Sequence, residues 1–169
     1  MSGKLYIVST PIGNLKDISL RAIDILSSVN IIACEDTRIT RKLLSHYKIS
    51  NKLITYNDIN CIKMMNSIIR YLKNNTNIAL VSDAGTPCIS DPGYRLINQA
   101  HLNDIEVISV PGPSAVHSAL SISGLPSDAY FFQGFLPRKK GRKTKFEYLS
   151  SIHSTVIIFE FSKRIKKTL

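Results

Sequence analysis

Cysteine is scarce in this chain of 169 residues, and Cys34, Cys61 and Cys88 lie far apart. None forms a C-x-x-C pair, so no zinc or other metal site is expected. An odd cysteine count without a secretion signal fits a reducing, cytoplasmic setting, with each thiol read as a small core residue rather than a nucleophile. No run approaches 18 consecutive apolar residues, so no membrane span is expected. The opening MSGKLYIVSTPIG carries one lysine and a short apolar run that enters a turn, a pattern suited to a first strand rather than a signal peptide. There is no G-x-G-x-x-G and no P-loop lysine, which removes the dinucleotide fingerprint and the Walker motif. Internal repeats and low-complexity tracts are also missing.

What is present is enough apolar material for a sizeable core, at 44% of residues. The chain has room for one ordinary domain, or for one domain and a fragment of another. Acidic residues number 12 against 22 basic ones, and six of the basic residues fall within 138–145: Arg138, Lys139, Lys140, Arg142, Lys143 and Lys145. Removing those six from the formal charge of +10 leaves +4, so most of the excess is local. Such a cluster is either an electrostatic footprint for a polyanion or a solvated basic loop.

Apolar runs at 5–9, 29–34, 52–56, 78–82 and 106–110 read as strands, with 130–133 and 155–161 further on. Helical spacing appears over 17–26, with Asp17 as a candidate N-cap, and over 37–46, 62–72 and 94–101. In 62–72 the inward face is expected to hold Ile62, Met65, Ile69 and Leu72. Further helices are expected at 114–121 and 163–169. Strands that are apolar on both faces and alternate with helices predict an α/β fold with a mostly parallel sheet flanked by helices. Residues 1–112 are expected to form this first domain, and 113–169 the incomplete start of a second.

In parallel sheets, ligands bind beyond the carboxyl ends of the strands. Four segments there are rich in small, turn-forming residues. Residues 9–15 contain Pro11 and Gly13, which let the backbone turn sharply against a ligand. Residues 35–38 place Glu35 and Asp36 at a strand end. Asp36 or Thr37 can cap the next helix, and Glu35 needs a partner such as Arg38 or Arg41, or a place at a cleft mouth. Residues 82–93 run for a dozen residues through Asp83, Gly85, Thr86, Pro87 and Pro92-Gly93, longer than an ordinary βα loop. Residues 110–115 set two prolines around Gly112 before a helix start. Together they predict a pocket lined by backbone groups and suited to a flat, polar, adenosine-like ligand.

The ordered set VSTPIGNL, ACEDTR, LVSDAGTPCISDPGY, VPGPSA, GLPSD and GFLPRKKGRK resembles the ribosomal RNA small subunit methyltransferase I family of the tetrapyrrole methylase superfamily. The likeness runs from about Leu5 to about Arg164. It implies two α/β domains with S-adenosyl-L-methionine in the cleft between them, a homodimer, and methylation of a cytidine ribose 2′-hydroxyl in small-subunit ribosomal RNA. It further implies that Pro11 and Gly13, then Gly85, Thr86 and Ile89, then Ser114 and Ala115 hold the cofactor. Asp36 and Arg38 would belong to an acidic-arginine motif facing the substrate. Removal of the hydroxyl proton needs a nearby carboxylate or water, and Asp36 and Asp83 are the candidates. Arg38, Arg41, Arg138, Lys139, Lys140, Arg142 and Lys143 would meet RNA phosphates.

Two departures stand out. Residues 56–61 read Tyr56-Asn57-Asp58-Ile59-Asn60-Cys61 where the family has a segment with His and Glu. Residues 159–164 read Phe159-Glu160-Phe161-Ser162-Lys163-Arg164 where the family has Tyr-Glu-Ser followed by His-Arg, and family members continue beyond. Two other readings therefore stand beside the first: a tetrapyrrole- or diphthine-type methylase of the same fold, and a shortened, non-catalytic RNA-binding remnant.

Overall fold

A computed structural model describes residues 2–169. The chain divides into two compact units, Met1–Ser114 and Ala115–Leu169. The first unit holds strands β1 (Leu5–Val8), β2 (Ile31–Cys34), β3 (Leu53–Thr55), β4 (Ile78–Val81) and β5 (Val107–Val110). They form one sheet in the order β3-β2-β4-β1-β5, every pair parallel. All residues of β2 and β4 are buried, as the unbroken apolar runs require of strands covered on both faces.

Because side chains alternate across a strand, neighbouring residues feed two separate cores. On one face Ile31, Ala33, Ile78 and Leu80 meet α3 (Cys61–Lys73) and α4 (Tyr94–His101) through Ile68, Leu72, Leu96 and Ala100. On the other, Ile32, Cys34, Ala79 and Val81 meet α1 (Leu20–Ser28) and α2 (Thr37–His46) through Ala22, Leu26, Leu43 and Leu44.

Three local expectations need correction. Helix α1 starts at Leu20, with Ser19 as its cap, its hydroxyl accepting the Ala22 N–H at 3.1 Å. Asp17 sits in a separate short turn capped by Asn14, because the chain is extended at Ile18, which is buried, before the helix begins. In α3 the deeply buried positions are Ile68 and Leu72, with Cys61, Met64, Met65 and Ile69 packed against the same core, while Ile62 is 63% exposed, so the inward face is rotated away from Ile62 toward Cys61 and Ile68. The basic segment is not all loop: Arg142 and Lys143 open helix α6 (Arg142–Ser150).

The second unit contains α5 (Ala115–Ile122), β6 (Tyr130–Phe135), α6, β7 (Thr155–Phe159) and α7 (Ile165–Thr168). Strands β6 and β7 pair in parallel with an irregularity between Phe132 and Gly134. Phe132 and Phe135 pack edge-on against Phe159 with ring centroids 4.9 and 5.5 Å apart. Among the described residues, no helix is long and apolar enough to cross a membrane.

Candidate functional site

Since all five strands of the first unit are parallel, their carboxyl ends share one edge. The four small-residue corners follow β1, β2, β4 and β5, which are consecutive in the sheet. Three of these corners are hydrogen-bonded to one another. Thr10 and Gly85 exchange backbone bonds at 2.9 and 3.0 Å. The Ser9 and Thr86 hydroxyls lie 3.0 Å apart, and Thr86 Oγ1 donates to the Pro113 carbonyl at 3.1 Å. Thr10 Oγ1 donates to the Ser82 carbonyl at 3.1 Å. Ser9, Thr10 and Ser82 are buried polar residues whose hydrogen bonds go to these corners. The sequence carries their signal, a hydroxyl directly after an apolar strand, but nothing in the spacing says which corner each hydroxyl bonds.

Close approach demands the glycines. A Cβ on Gly112 would lie 2.9 Å from the Ser9 Cβ, and Gly85 has a φ of +87°. The segment after β4 is more strained than its glycines require. Cys88 and Ser90 are both left-handed, with φ of 72° and 63°, each costing roughly 1–2 kcal/mol. Such conformations persist where the surroundings impose them, and they gather at functional loops. Pro11 is half-buried and lines a cavity of about 200 Å³ with Thr10, Thr40, Lys42, Ser82 and Asp83. Lys42, exposed on α2, lends its stem to the rim of this cavity. Gly13 is exposed, and a Cβ there would meet no heavy atom within 4 Å. Ile89 is 48% exposed within the segment after β4. Ser114 closes the first unit and Ala115 opens the second.

The β2 corner joins the others through carboxylates. The Asp36 N–H donates to Asp83 Oδ1 at 3.0 Å. Asp36 also caps α2, accepting the Arg38 N–H at 2.8 Å, and its carboxylate pairs with the Arg38 guanidinium at 2.6 Å. Those bonds hold the Asp36 carboxyl at about 2, well below the usual carboxylate range. Asp83 moves the other way, pushed up by burial and then by the Asp36 charge, against the Asp36 N–H bond. Glu35 is likewise pushed up, first by burial and then by Asp83, Asp91, Asp58 and Asp36. Arg38, one of the two partners expected for Glu35, is committed to Asp36 next door. The two candidate proton acceptors are thus unequal: Asp36 stays ionised, whereas Asp83 binds a proton more readily.

The basic cluster of the second unit is also uneven. Arg138, Lys139, Lys140 and Lys143 are exposed. Arg142 turns inward: its guanidinium meets Glu160 Oε2 at 3.3 Å, Thr168 Oγ1 at 2.6 Å and the Pro137 carbonyl at 3.1 Å. It is therefore a strut beneath the cluster rather than a free cation. Among the described residues no group of His, Cys, Asp and Glu side chains is placed to hold a metal ion.

The model of the tetrapyrrole (corrin/porphyrin) methylases matches residues 4–169. A relative from Mesorhizobium japonicum called ribosomal RNA small subunit methyltransferase I is 48% identical over 98% of this chain and 56% of its own length. One of the same name from Vibrio cholerae is 51% identical over 98% of this chain and 58% of its own. The chain thus spans little more than half the length of these two relatives. A crystal structure of diphthine synthase shares the fold at a TM-score of 0.72 and 13% identity, covering 93% of this chain and 64% of that one.

Proposed function

The chain belongs to the tetrapyrrole (corrin/porphyrin) methylase family, and from that premise we propose that it methylates small-subunit ribosomal RNA with S-adenosyl-L-methionine, at the ribose 2′-hydroxyl of a cytidine. The observation that carries this reading is the single sheet edge at which the corners after β1, β4 and β5 are mutually hydrogen-bonded beside Asp36 and Asp83. Four residues of the first unit, Pro11, Gly13, Gly85 and Thr86, are the proposed cradle at that edge, with Ile89, Ser114 and Ala115 also assigned to cofactor binding. The backbone is bare at Gly13, so a flat nucleoside can approach it without displacing side chains, whereas Gly85 is buried and bonds Thr10 through both its N–H and its C=O, which fixes the shape of the corner. When bound, the cofactor supplies a methyl carbon activated by a sulfonium leaving group.

The chain's own task is then positioning and proton removal. Asp83 is the better acceptor for the hydroxyl proton, because its carboxyl is pushed up by burial, while Asp36 is too acidic to hold a proton near neutrality. The Asp36 N–H fixes Asp83 Oδ1, leaving Oδ2 to take the proton of a ribose hydroxyl presented at this edge. Arg38, Arg41, Arg138, Lys139, Lys140 and Lys143 are the proposed phosphate contacts, with Arg142 supporting them from within. A calorimetric titration of the 169-residue chain with S-adenosylmethionine, followed by transfer of labelled methyl to small ribosomal subunits, tests the reading. Binding and RNA labelling are expected. Cofactor binding without RNA labelling would overturn the substrate, and absence of both would favour a non-catalytic RNA-binding role.

A further inference from the structure

A second cavity, of about 270 Å³, opens between the start of α3 and the loop entering α4, and its lining includes Tyr56, Asp58, Cys61, Asp91, Tyr94 and Arg95. Nothing in the cradle above uses it. Its walls combine three kinds of group. Tyr94 is a platform: it is 65% exposed, its hydroxyl accepts from Arg95 Nε at 2.9 Å, and the guanidinium lies 5.7 Å from its ring centroid. Exposed tyrosines at a cavity mouth stack on flat ligands. Acceptors come from half-buried Asp91 and exposed Asp58. Donors come from the Arg95 guanidinium and from Tyr56, whose hydroxyl burial holds protonated, with its pKa pushed up to about 12. The cavity also reaches the β4 corner, since the Asp91 side chain bonds Ser82 at the end of that strand.

A flat ligand that donates on one side and accepts on the other fits this set. Cytosine does so: its exocyclic amine donates, and its ring nitrogen and carbonyl accept. Uracil presents a carbonyl where cytosine has the amine and would leave a carboxylate facing an acceptor. Adenine has the amine beside a ring acceptor but lacks the carbonyl oxygen, so the guanidinium would bond a single ring nitrogen where cytosine offers a ring nitrogen and a carbonyl. We propose that this cavity receives the base of the acceptor nucleotide and selects cytosine, with Asp91 accepting from the amine, Arg95 donating to the carbonyl side and Tyr94 stacking on the ring. This rests on the RNA-methyltransferase reading above.

The test is a chemical-shift titration of the full chain with cytidine, uridine and adenosine 5′-monophosphates, with spectral dispersion confirming that each variant is folded. Shifts at the amides of Cys61, Tyr94 and Arg95 are expected, with the cytidine nucleotide bound about tenfold tighter than the other two. Asp91→Asn should erase or invert the cytidine-over-uridine preference, because an amide can donate to the uracil carbonyl. Tyr94→Ala should weaken all the nucleotides alike, and Tyr94→Phe should bind as wild type. Equal affinities in the wild-type chain, or shifts confined to other residues, would overturn the proposal. So would displacement of the cytidine nucleotide by S-adenosylhomocysteine together with weakened S-adenosylhomocysteine binding in Asp91→Asn, which would make the cavity an adenine site for the cofactor. A chain that keeps the cytidine preference but binds no S-adenosylmethionine would leave this site standing and remove the methyltransferase reading. RNA labelling with a cytidine preference untouched by Asp91→Asn would do the reverse.

Discussion

Substituting Gly112→Ala probes the joint between the β5 and β1 corners. The added Cβ would lie 2.9 Å from the Ser9 Cβ and 3.5 Å from the Ser9 carbonyl oxygen, whereas ordinary contact begins at 3.4 Å, so the two corners must part by about 0.5 Å. The Ser9 Cβ is attached to a buried backbone whose N–H bonds the Val110 carbonyl at 3.3 Å, so it cannot swing away. The same side chain meets Thr86 Oγ1 at 3.0 Å, and Thr86 in turn reaches the Pro113 carbonyl at 3.1 Å, so one shift disturbs three corners. Overpacking of this kind costs about 1–3 kcal/mol. If half of that falls on the cradle, S-adenosylmethionine binding weakens about two- to tenfold, since 1.4 kcal/mol is a factor of ten. Calorimetry measures the affinity and urea unfolding measures the stability. Ser9→Gly removes the obstructing Cβ, so the double variant should bind better than the sum of the single losses, with a coupling of about 1 kcal/mol. Wild-type affinity in Gly112→Ala, or strict additivity in the double variant, would refute the claim that this contact sets the cradle.

Asp83 and Glu35 are pushed up in the folded chain, so their ionised forms cost stability above the ordinary carboxylate range, and that cost fades as pH falls through it. Asp83→Asn and Glu35→Gln should therefore raise the urea midpoint at pH 7, with the gain shrinking toward pH about 4, while Asp83→Asn lowers methyl transfer by about 10²–10⁴. Asp36, held at about 2, has the opposite sign: its stabilisation is present above 3.8 and is lost as pH falls toward 2, so Asp36→Asn should lower the midpoint at pH 7 but leave it nearly unchanged at pH 2. Replacing Lys139, Lys140 and Lys143 by Gln should reduce the salt slope of RNA binding by about 2 without altering the unfolding midpoint. Arg142→Met should instead lower the midpoint, because it strips a partner from Glu160, whose side chain is only 7% exposed.

Much of the first unit was legible because its signals are local. Helix α2 spans the expected 37–46, since the Asp36 cap and the Leu43–Leu44 pair lie within a few turns of each other. Helix α4 spans the expected 94–101, between Gly93 and the turn at Leu102. Less of the site was legible. The partner of Arg38 could have been Glu35 or Asp36, and only the capping geometry of α2 decides for Asp36. The cavity beside Tyr94 joins residues more than 30 positions apart, and spacing along the chain says nothing of it. Arg142 stands in a run of like charges, and its inward turn depends on Glu160 and Thr168, which come from β7 onward.

By itself the sequence determined that apolar strands end at small, polar, glycine- and proline-bent corners, because strand burial and turn chemistry are written residue by residue. Strand order was left to the tertiary structure. Placing β4 between β2 and β1 is what lets Gly85 bond Thr10 and Asp83 receive the Asp36 N–H. The physical reason is that parallel pairing is settled by which apolar faces can be covered together, a property of the whole sheet and its helices that no short window contains.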